Sequence, residues 1–375
     1  LQLLAMFVLL AGASLARGES AGPFSAEDRL TIHADETRTG DLYAFAQRVT
    51  VSGHQDGDLI AFAQDATISG DVTGDLFLFA NTFDVTGTIT SMATPGVEAD
   101  HGGNPPTEQP MPYIDVTSSA GTVQTDRDGN FTFPGVNTPL DITVKYIGTF
   151  NDVDNQSGSD YTITFPNVQP NQANTLLMNP SPNEVVTAQA NAYLHVAVLR
   201  DFVRDTNPTD STADFQALSN PNISASCNAF YNGTSVNYFL SSAQCNNTAY
   251  STVVAHEMGH WLNVLYGTGN GSDGMGEGNA DVFAMYVYDD PIIAAFFFTN
   301  GGFIRTGDNT RQFCGDCCVG CHGGVHNNGE VWMGATWKVR TNLKNTHGTA
   351  LGGDIADLIF LGWMNAYDQN TICLL

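Results

Sequence analysis

A repeat with a 17-residue step between residues 40 and 89 restricts the fold of this chain more than any other feature of its sequence. Each copy begins with Gly-Asp-Leu, continues with alternating apolar and polar residues, and ends at a glycine. Short strands separated by glycines at a fixed period are typical of a β-solenoid, in which each turn buries its apolar face against its neighbours. We therefore predict a short β-solenoid over residues 36–92, with an ordinary β-meander as the alternative. The recurring positions are Gly40, Gly57 and Gly74; Asp41, Asp58 and Asp75; and Phe45, Phe62 and Phe79.

The three copies, GDLYAFAQRVTVSG, GDLIAFAQDATISG and GDLFLFANTFDVTG, resemble the bactofilin-type, polymer-forming β-solenoid. The resemblance implies a structural role for this segment, and cell-surface association through it is a further expectation. No residue of the repeat indicates chemistry. A structural surface protein, in which the solenoid assembles and the rest of the chain is its cargo, is therefore one alternative for the function.

The first sixteen residues, LQLLAMFVLLAGASLA, resemble the apolar core of a signal peptide. Their apolar run is too short to span a bilayer, and small residues near Ala13 and Ala16 suit a signal peptidase. Because the chain starts without Met, we interpret residues 1–16 as an N-terminally truncated signal peptide. No later stretch is long and apolar enough for a transmembrane helix, so we predict a secreted or extracytoplasmic protein.

The charge of the chain excludes one class of partner. It has 39 acidic and 13 basic side chains, a net charge of −26, which would repel phosphate backbones and anionic lipid surfaces. Nucleic-acid binding is therefore not expected. Calcium is a candidate ligand because it requires carboxylates, but the acidic turn at residues 152–160 lacks the twelve-residue EF-hand spacing and is better interpreted as a solvated turn. Its polar residues are Asp152, Asp154, Asn155 and Asp160.

Changes in composition divide the rest of the chain into three parts. Residues 93–112 are rich in Gly and Pro and are predicted to be a linker. Residues 113–182 contain short β-like segments separated by turn residues, which predicts a small antiparallel β-sandwich. From residue 183 the apolar period changes to that of helices, so a mixed α+β domain is expected over residues 183–375.

The segment STVVAHEMGHWL contains a His-Glu-x-x-His motif. If it is helical, His256 and His260 lie one turn apart on the same face, and both imidazoles can bind one zinc ion. Glu257 then projects beside the metal, where it can act as general base. The alternative is a surface helix with solvated polar residues.

A catalytic zinc usually has three protein ligands, and the segment GSDGMGEGNADVFAMY offers the third. Glu277 is our choice, since glycines on both sides allow a tight turn before a second helix. Asp281 lies four residues later, on the same helical face, where its carboxylate can accept a hydrogen bond from His256. An alternative is that Asp281 is a charge near a helix N-terminus, stabilised by the helix dipole.

The motif HEMGH followed by GMGEGNAD resembles the Glu-zincin metallopeptidases, in particular the fungalysin branch of the thermolysin-like fold. Two further segments resemble that family. CNAFYNGTSVNYF is similar to its substrate-binding edge, which implies that Asn228 and Ala229 bind substrate. HGGVHNNGEVW is similar to the segment with its transition-state histidine, which implies that role for His326.

The resemblance implies a fold and an activity. The fold is multidomain: a short β-solenoid, a small β-sandwich, and an α+β thermolysin-like zinc peptidase domain. The activity is that of a secreted zinc metalloendopeptidase, a hydrolase that acts on protein or peptide substrates with Zn²⁺ as cofactor and Ca²⁺ as a second candidate. The other alternative is a catalytically silent, peptide-binding protein that keeps the fold.

Seven cysteines fit an oxidising compartment. We predict one disulfide between Cys227 and Cys245. Two Cys-x-x-Cys pairs follow, and these can form disulfides that brace the loop before His326, or a second zinc or iron–sulfur site. Export favours disulfides, with a connectivity that the sequence leaves open. The four residues are Cys314, Cys317, Cys318 and Cys321.

Overall fold

A computed structural model of the chain describes residues 24–313 and 322–366. The signal peptide predicted over residues 1–16 lies outside these ranges. No helix in the described part of the chain is long and apolar enough to cross a membrane.

The repeats form two parallel sheets. Their strands are β1 (Phe24–Ile32), β2 (Thr37–Thr39), β3 (Leu42–Val51), β4 (His54–Asp56), β5 (Leu59–Ile68), β6 (Asp71–Val72) and β7 (Leu76–Thr82). One sheet has the order β1-β3-β5-β7 and the other β2-β4-β6. Phe45 faces Phe62, and Phe62 faces Phe79, with ring centroids 5.0 and 4.5 Å apart. Parallel pairing of residues one repeat apart excludes the β-meander, whose neighbouring strands are antiparallel.

A closed solenoid is not found in the described residues. The strands β2, β4 and β6 are only two or three residues long, and the chain leaves both parallel sheets after β7. The third repeat therefore splits, since its last residues belong to the next sheet. The repeat region buries a small core of its own, which includes Leu30, Ile32, Leu42, Val49, Val51 and Leu59.

Nine strands follow the repeats. They are β8 (Val85–Ala93), β9 (Thr107–Pro110), β10 (Ile114–Ser118), β11 (Gly121–Gln124), β12 (Asn130–Phe133), β13 (Leu140–Gly148), β14 (Asn151–Val153), β15 (Thr162–Val168) and β16 (Thr175–Met178). β8 pairs with β9, β12 and β16 in a four-stranded sheet, while β10, β11, β13, β14 and β15 belong to an eight-stranded sheet. Residues 113–182 thus supply strands to two sheets, and β14 and β16 pair in parallel with strands outside this range. The small antiparallel β-sandwich remains a prediction.

The remaining described chain is mixed α and β. Its elements are α1 (Glu184–Thr206), β17 (Ala217–Ile223), β18 (Ala229–Tyr231), β19 (Val236–Phe239), α2 (Ser251–Tyr266), α3 (Met275–Tyr288), β20 (Ile292–Ile293), β21 (Arg305–Thr306), α4 (Val325–His347) and α5 (Thr349–Ala366). The eight-stranded sheet continues through β17, β19 and β18, with β18 at its edge.

One hydrophobic core extends across the predicted boundaries at residues 112 and 182. It runs from Val85 to Met364, and β14 pairs in parallel with β17. The predicted linker contributes β9 and the fully buried Met111. The described residues of 93–112, 113–182 and 183–366 therefore contribute to one core. The domain boundaries at residues 112 and 182 remain a prediction.

The helix α1 fixes the start of α2. The Asn191 side chain, 2% exposed, accepts from Thr94 N at 2.8 Å and donates to the Ala249 carbonyl oxygen at 2.9 Å. A buried amide with both ends bonded is costly to displace. Asn191 therefore holds the segment that leads into the His-Glu-x-x-His helix.

Candidate metal centre and cleft

Glycines let the helices of the site approach each other closely. A Cβ on Gly259 would lie 2.7 Å from Cα of Ala280, so α2 and α3 touch along their backbones. Gly274 precedes α3 with a φ of 99°, which favours glycine, and a Cβ there would lie 2.5 Å from the Val325 carbonyl oxygen. Larger residues at these positions would push α3 away from α2 and α4.

Two imidazole nitrogens and one carboxylate oxygen converge between α2 and α3. His256 Nε2 and His260 Nε2 lie 3.2 Å apart, and Glu277 Oε2 lies 3.4 and 3.5 Å from them. Among residues 24–313 and 322–366, no other group of three or more His, Cys, Asp or Glu has ligand atoms that lie within 4.8 Å of one another. The three ligands predicted from the sequence are thus brought together.

The second nitrogen of each imidazole fixes its tautomer. His260 Nδ1 lies 2.9 Å from Asn270 Oδ1. The Asn270 amide is oriented because its Nδ2 donates to the His260 carbonyl oxygen and its Oδ1 accepts from Asn263. His256 Nδ1 lies 2.8 Å from Asp281 Oδ1; the approach is off the ideal hydrogen-bond line, but a buried carboxylate this close requires a proton on the nitrogen. Both Nε2 atoms therefore present lone pairs in the neutral rings.

These three lone pairs fit a bound zinc ion. A tetrahedral ion bound at about 2.0–2.1 Å would hold two imidazole nitrogens about 3.3 Å apart, close to the separations in this site. Glu277 Oε2 is buried and has no hydrogen-bond partner among the residues that the structure describes, which is unfavourable unless a cation satisfies it. Two imidazoles and one carboxylate are also the ligands of catalytic zinc sites with an open fourth position.

The charges around the site favour a cation. Burial opposes the charged form of His256, but Asp281 and Glu277 outweigh burial and raise the pKa of this imidazole to about 10. Burial likewise opposes ionisation of Glu277, yet its contacts with His256 and His260 hold its pKa well below the usual range. Burial raises the pKa of the neighbouring Glu257. A position that attracts a proton this strongly also attracts a metal ion.

Asp281 is held by an arginine that the sequence did not reveal. Arg305 Nε and Nη2 each donate to the Asp281 carboxylate at 2.8 Å. Asp281 is fully buried, so this paired contact supplies the compensating charge that it requires. Glu277, and not Asp281, is the acidic residue of the first turn of α3. The helix-dipole alternative is therefore weak, because the effect fades beyond the first turn.

A cleft of about 370 Å³ opens beside these residues and brings the other predicted site residues together. Its lining includes Asn228, Ala229, Glu257 and His326. Ala229 starts β18, the edge strand of the eight-stranded sheet. Within the described part of the chain β18 pairs with β19 alone, which leaves its other side for an extended chain.

His326 stands in the first turn of α4 with a 60% exposed side chain. Its Nε2 lies 3.3 Å from Glu277 Oε1. Although more than half of this side chain is exposed, desolvation of its buried part is the main cause that lowers the pKa of His326, and Glu277 opposes this shift. The remaining lining of the cleft is largely apolar and includes Val253, Ile293, Ala294, Phe297, Phe298 and Ile304.

The disulfide predicted between Cys227 and Cys245 is present, with Cα atoms 5.4 Å apart. Four other predicted disulfide candidates lie outside the described residues: Cys314, Cys317, Cys318 and Cys321.

In the turn at residues 152–160, Asn155 Nδ2 donates to the carbonyl oxygens of Ser157 and Ser159. This turn holds no group of converging ligands like that at the helices, in the part of the chain that the structure describes.

Sequence reasoning missed two residues that orient the ligands. Arg305 lies 24 positions beyond Asp281 in the chain and outside any periodic pattern. Asn270 belongs to the polar, glycine-rich loop between α2 and α3, where asparagine is common for turn reasons alone. The buried Arg305 beside Asp281 and the exposed Asn270 beside His260 are recognisable only once the chain is folded.

Comparisons with known proteins give little support of their own. No family model matches the chain, and no curated protein matches it. A solved structure of the precursor of protealysin, a metalloproteinase from Serratia proteamaculans, is similar with a TM-score of 0.43 and 15% sequence identity. The match covers 57% of this chain and 74% of that chain. Because this likeness is so distant, support for a function has to come from the site itself. The matched structure gives no support to the bactofilin resemblance of the repeats.

Proposed function

We propose that this chain is a secreted zinc-dependent endopeptidase. One observation carries the proposal: two imidazole lone pairs and an unpartnered carboxylate oxygen converge, with Glu257 beside them at a cleft. Nitrogen and carboxylate ligands of this kind suit zinc better than calcium or magnesium, which prefer oxygen ligands throughout. His256, His260 and Glu277 would hold the ion. When bound, zinc supplies Lewis-acid chemistry at the scissile carbonyl and at water.

The edge strand provides the place for the substrate. An extended peptide adds to the free side of β18, beside Asn228 and Ala229, through backbone hydrogen bonds. The apolar lining of the cleft includes Phe297 and Phe298, which favours an apolar substrate side chain. The substrate is thus positioned through its backbone, with one side chain in an apolar pocket.

Two side chains of the cleft handle protons and charge. The Glu257 carboxylate takes a proton from the attacking water and passes it to the leaving amine. His326 Nε2 donates a hydrogen bond to the oxyanion that develops on the carbonyl oxygen. Because Glu257 serves first as base and then as acid, the reaction needs no covalent intermediate.

The signal-peptide-like residues 1–16 and the Cys227–Cys245 disulfide support export, since disulfides persist in oxidising compartments. Association with a cell surface through the repeat region is a further proposal, which rests on the repeat alone.

Removal of the metal tests the proposal. We expect dialysis against a zinc chelator to abolish cleavage of an unstructured protein such as casein, and stoichiometric zinc to restore it. Magnesium and calcium should not restore cleavage, because they bind imidazole poorly. The measurement is the rate of appearance of new amino termini, with zinc per chain determined on the same samples. Undiminished cleavage by metal-free protein would contradict the proposal.

A further inference from the structure

The disulfide Cys227–Cys245 stands directly beside the cleft and joins two segments that border it. Cys227 lines the cleft together with Asn228 and Ala229. We call residues 227–231 the edge segment, because they contain β18 and the residues that lead into it. We call residues 296–299 the apolar segment, because Phe297 and Phe298 also line the cleft.

The start of the edge segment, residues 227 and 228, has few noncovalent contacts to the rest of the described chain. Residues 224–226 before it and Asn228 within it are exposed. β18 is three residues long and pairs with β19 on one side only. Phe230 and Tyr231 are held further, since Asn237 Nδ2 donates to the Phe230 carbonyl oxygen at 3.0 Å and the Tyr231 ring lies 5.3 Å from that of Trp261. At Asn228, Thr248 Oγ1 donates to the carbonyl oxygen at 3.0 Å. Cys227 has a φ of 59°, a left-handed conformation that is unfavourable for a residue with a side chain. The position of residues 227 and 228 therefore depends mainly on the disulfide.

Cys245 is anchored firmly to the apolar segment. It is fully buried, and its backbone forms an antiparallel bridge with Phe298. Its neighbour Asn246 donates to the carbonyl oxygens of Phe297 and Phe296 at 2.9 and 2.7 Å, and Thr299 N donates to the Gln244 carbonyl oxygen at 2.9 Å. The disulfide thus connects the weakly held start of the edge segment to Cys245, which is strongly held against the apolar segment.

We propose that the Cys227–Cys245 disulfide positions the edge segment for substrate binding by fixing its distance from the apolar segment. This proposal rests on the proposed peptidase function, and it assigns the disulfide to substrate binding and not to the metal centre. A peptide that adds to an edge strand gains most when that strand is ordered beforehand, because otherwise binding must supply the ordering. Loss of the disulfide should therefore weaken binding of extended substrates and leave the reaction step nearly intact.

The test is the double variant Cys227→Ser/Cys245→Ser in the full chain, which leaves no unpaired thiol at either position. We expect KM for an extended peptide to rise roughly tenfold, kcat to change less than about twofold, and zinc to stay at the parent's ratio per chain. A control is Asp210→Asn, which weakens contacts to Tyr266 and Asn365 and touches neither segment. This control should lower the free energy of unfolding without changing KM.

Hydrogen–deuterium exchange of the same proteins gives a readout that does not depend on activity. Exchange at residues 227–231 should become about tenfold faster in the double variant, and exchange in α2 should not change. An unchanged KM, or equal losses of kcat and zinc, would overturn the positioning role and leave the disulfide as a general stabiliser. Unchanged exchange at residues 227–231 would overturn it as well. Failure of the parent itself to cleave would instead contradict the proposed function, and the exchange rates would still decide what the disulfide holds.

Discussion

Replacement of Glu257 by Gln is expected to lower kcat for peptide cleavage by about 10²- to 10⁴-fold, because the amide keeps the shape of the carboxylate but cannot take a proton from water. The side chain is 6% exposed and lines the cleft beside His256. The binding residues for zinc and substrate are unchanged, so zinc per chain and KM should stay close to the parent values. The measurement is the steady-state rate with one defined peptide, beside zinc analysis of both proteins.

A second carboxylate of the same cleft provides a matched control. Glu330 is also buried and lines the cleft, but Arg311 Nε donates to it at 3.1 Å and it lies outside the metal cluster. Glu330→Gln should therefore affect kcat far less than Glu257→Gln does. If Glu257→Gln cleaves at nearly the parent rate, another group is the base and our mechanism is wrong.

Replacement of Asp281 by Asn is expected to weaken zinc binding roughly 10- to 100-fold. The aspartate fixes the proton on His256 Nδ1 and adds negative charge behind that ligand. Asparagine keeps the size but removes the charge, and it leaves Arg305 buried without its partner. Competition with a chelator of known zinc affinity measures the effect.

The control for this substitution is again Asp210→Asn. Asp210 is 6% exposed and hydrogen-bonded to Tyr266 and Asn365. It is therefore buried like Asp281, but it does not contact a metal ligand. Its replacement should lower stability and leave the zinc affinity unchanged. Equal affinities of the Asp281→Asn variant and the parent protein would show that the carboxylate does not act on the metal ligand.

The metal ligands could be found from the sequence because their spacing is local. His256 and His260 are four residues apart, and one helical turn is enough to align them. Glu277 and Asp281 follow the same rule on the next helix, and glycines mark the turn before it. The pairing of Arg305 with Asp281 and of Asn270 with His260 depends on how separate elements pack, and the spacing of residues in the sequence does not predict that packing.

The fold shows the same division between local and long-range information. The 17-residue step predicted parallel stacking, since identical positions such as Phe45 and Phe62 bury against each other. It did not show that β8 leaves the repeat for another sheet, because Val85 continues the apolar alternation of the repeat. The pairing of β14 with β17 across residue 182 was also missed, because the composition of a strand does not determine which other strand it pairs with.

Zinc-edge X-ray absorption of the purified chain tests the central claim most directly. The proposed centre predicts one zinc per chain with only nitrogen and oxygen neighbours at about 2.0–2.2 Å, from His256, His260, Glu277 and water. The four cysteines at residues 314–321 offer a competing site, whose signature is sulfur at about 2.3 Å. A spectrum of nitrogen and oxygen alone would support the metal centre at α2 and α3. A spectrum dominated by sulfur, or a chain that takes up no zinc, would contradict it.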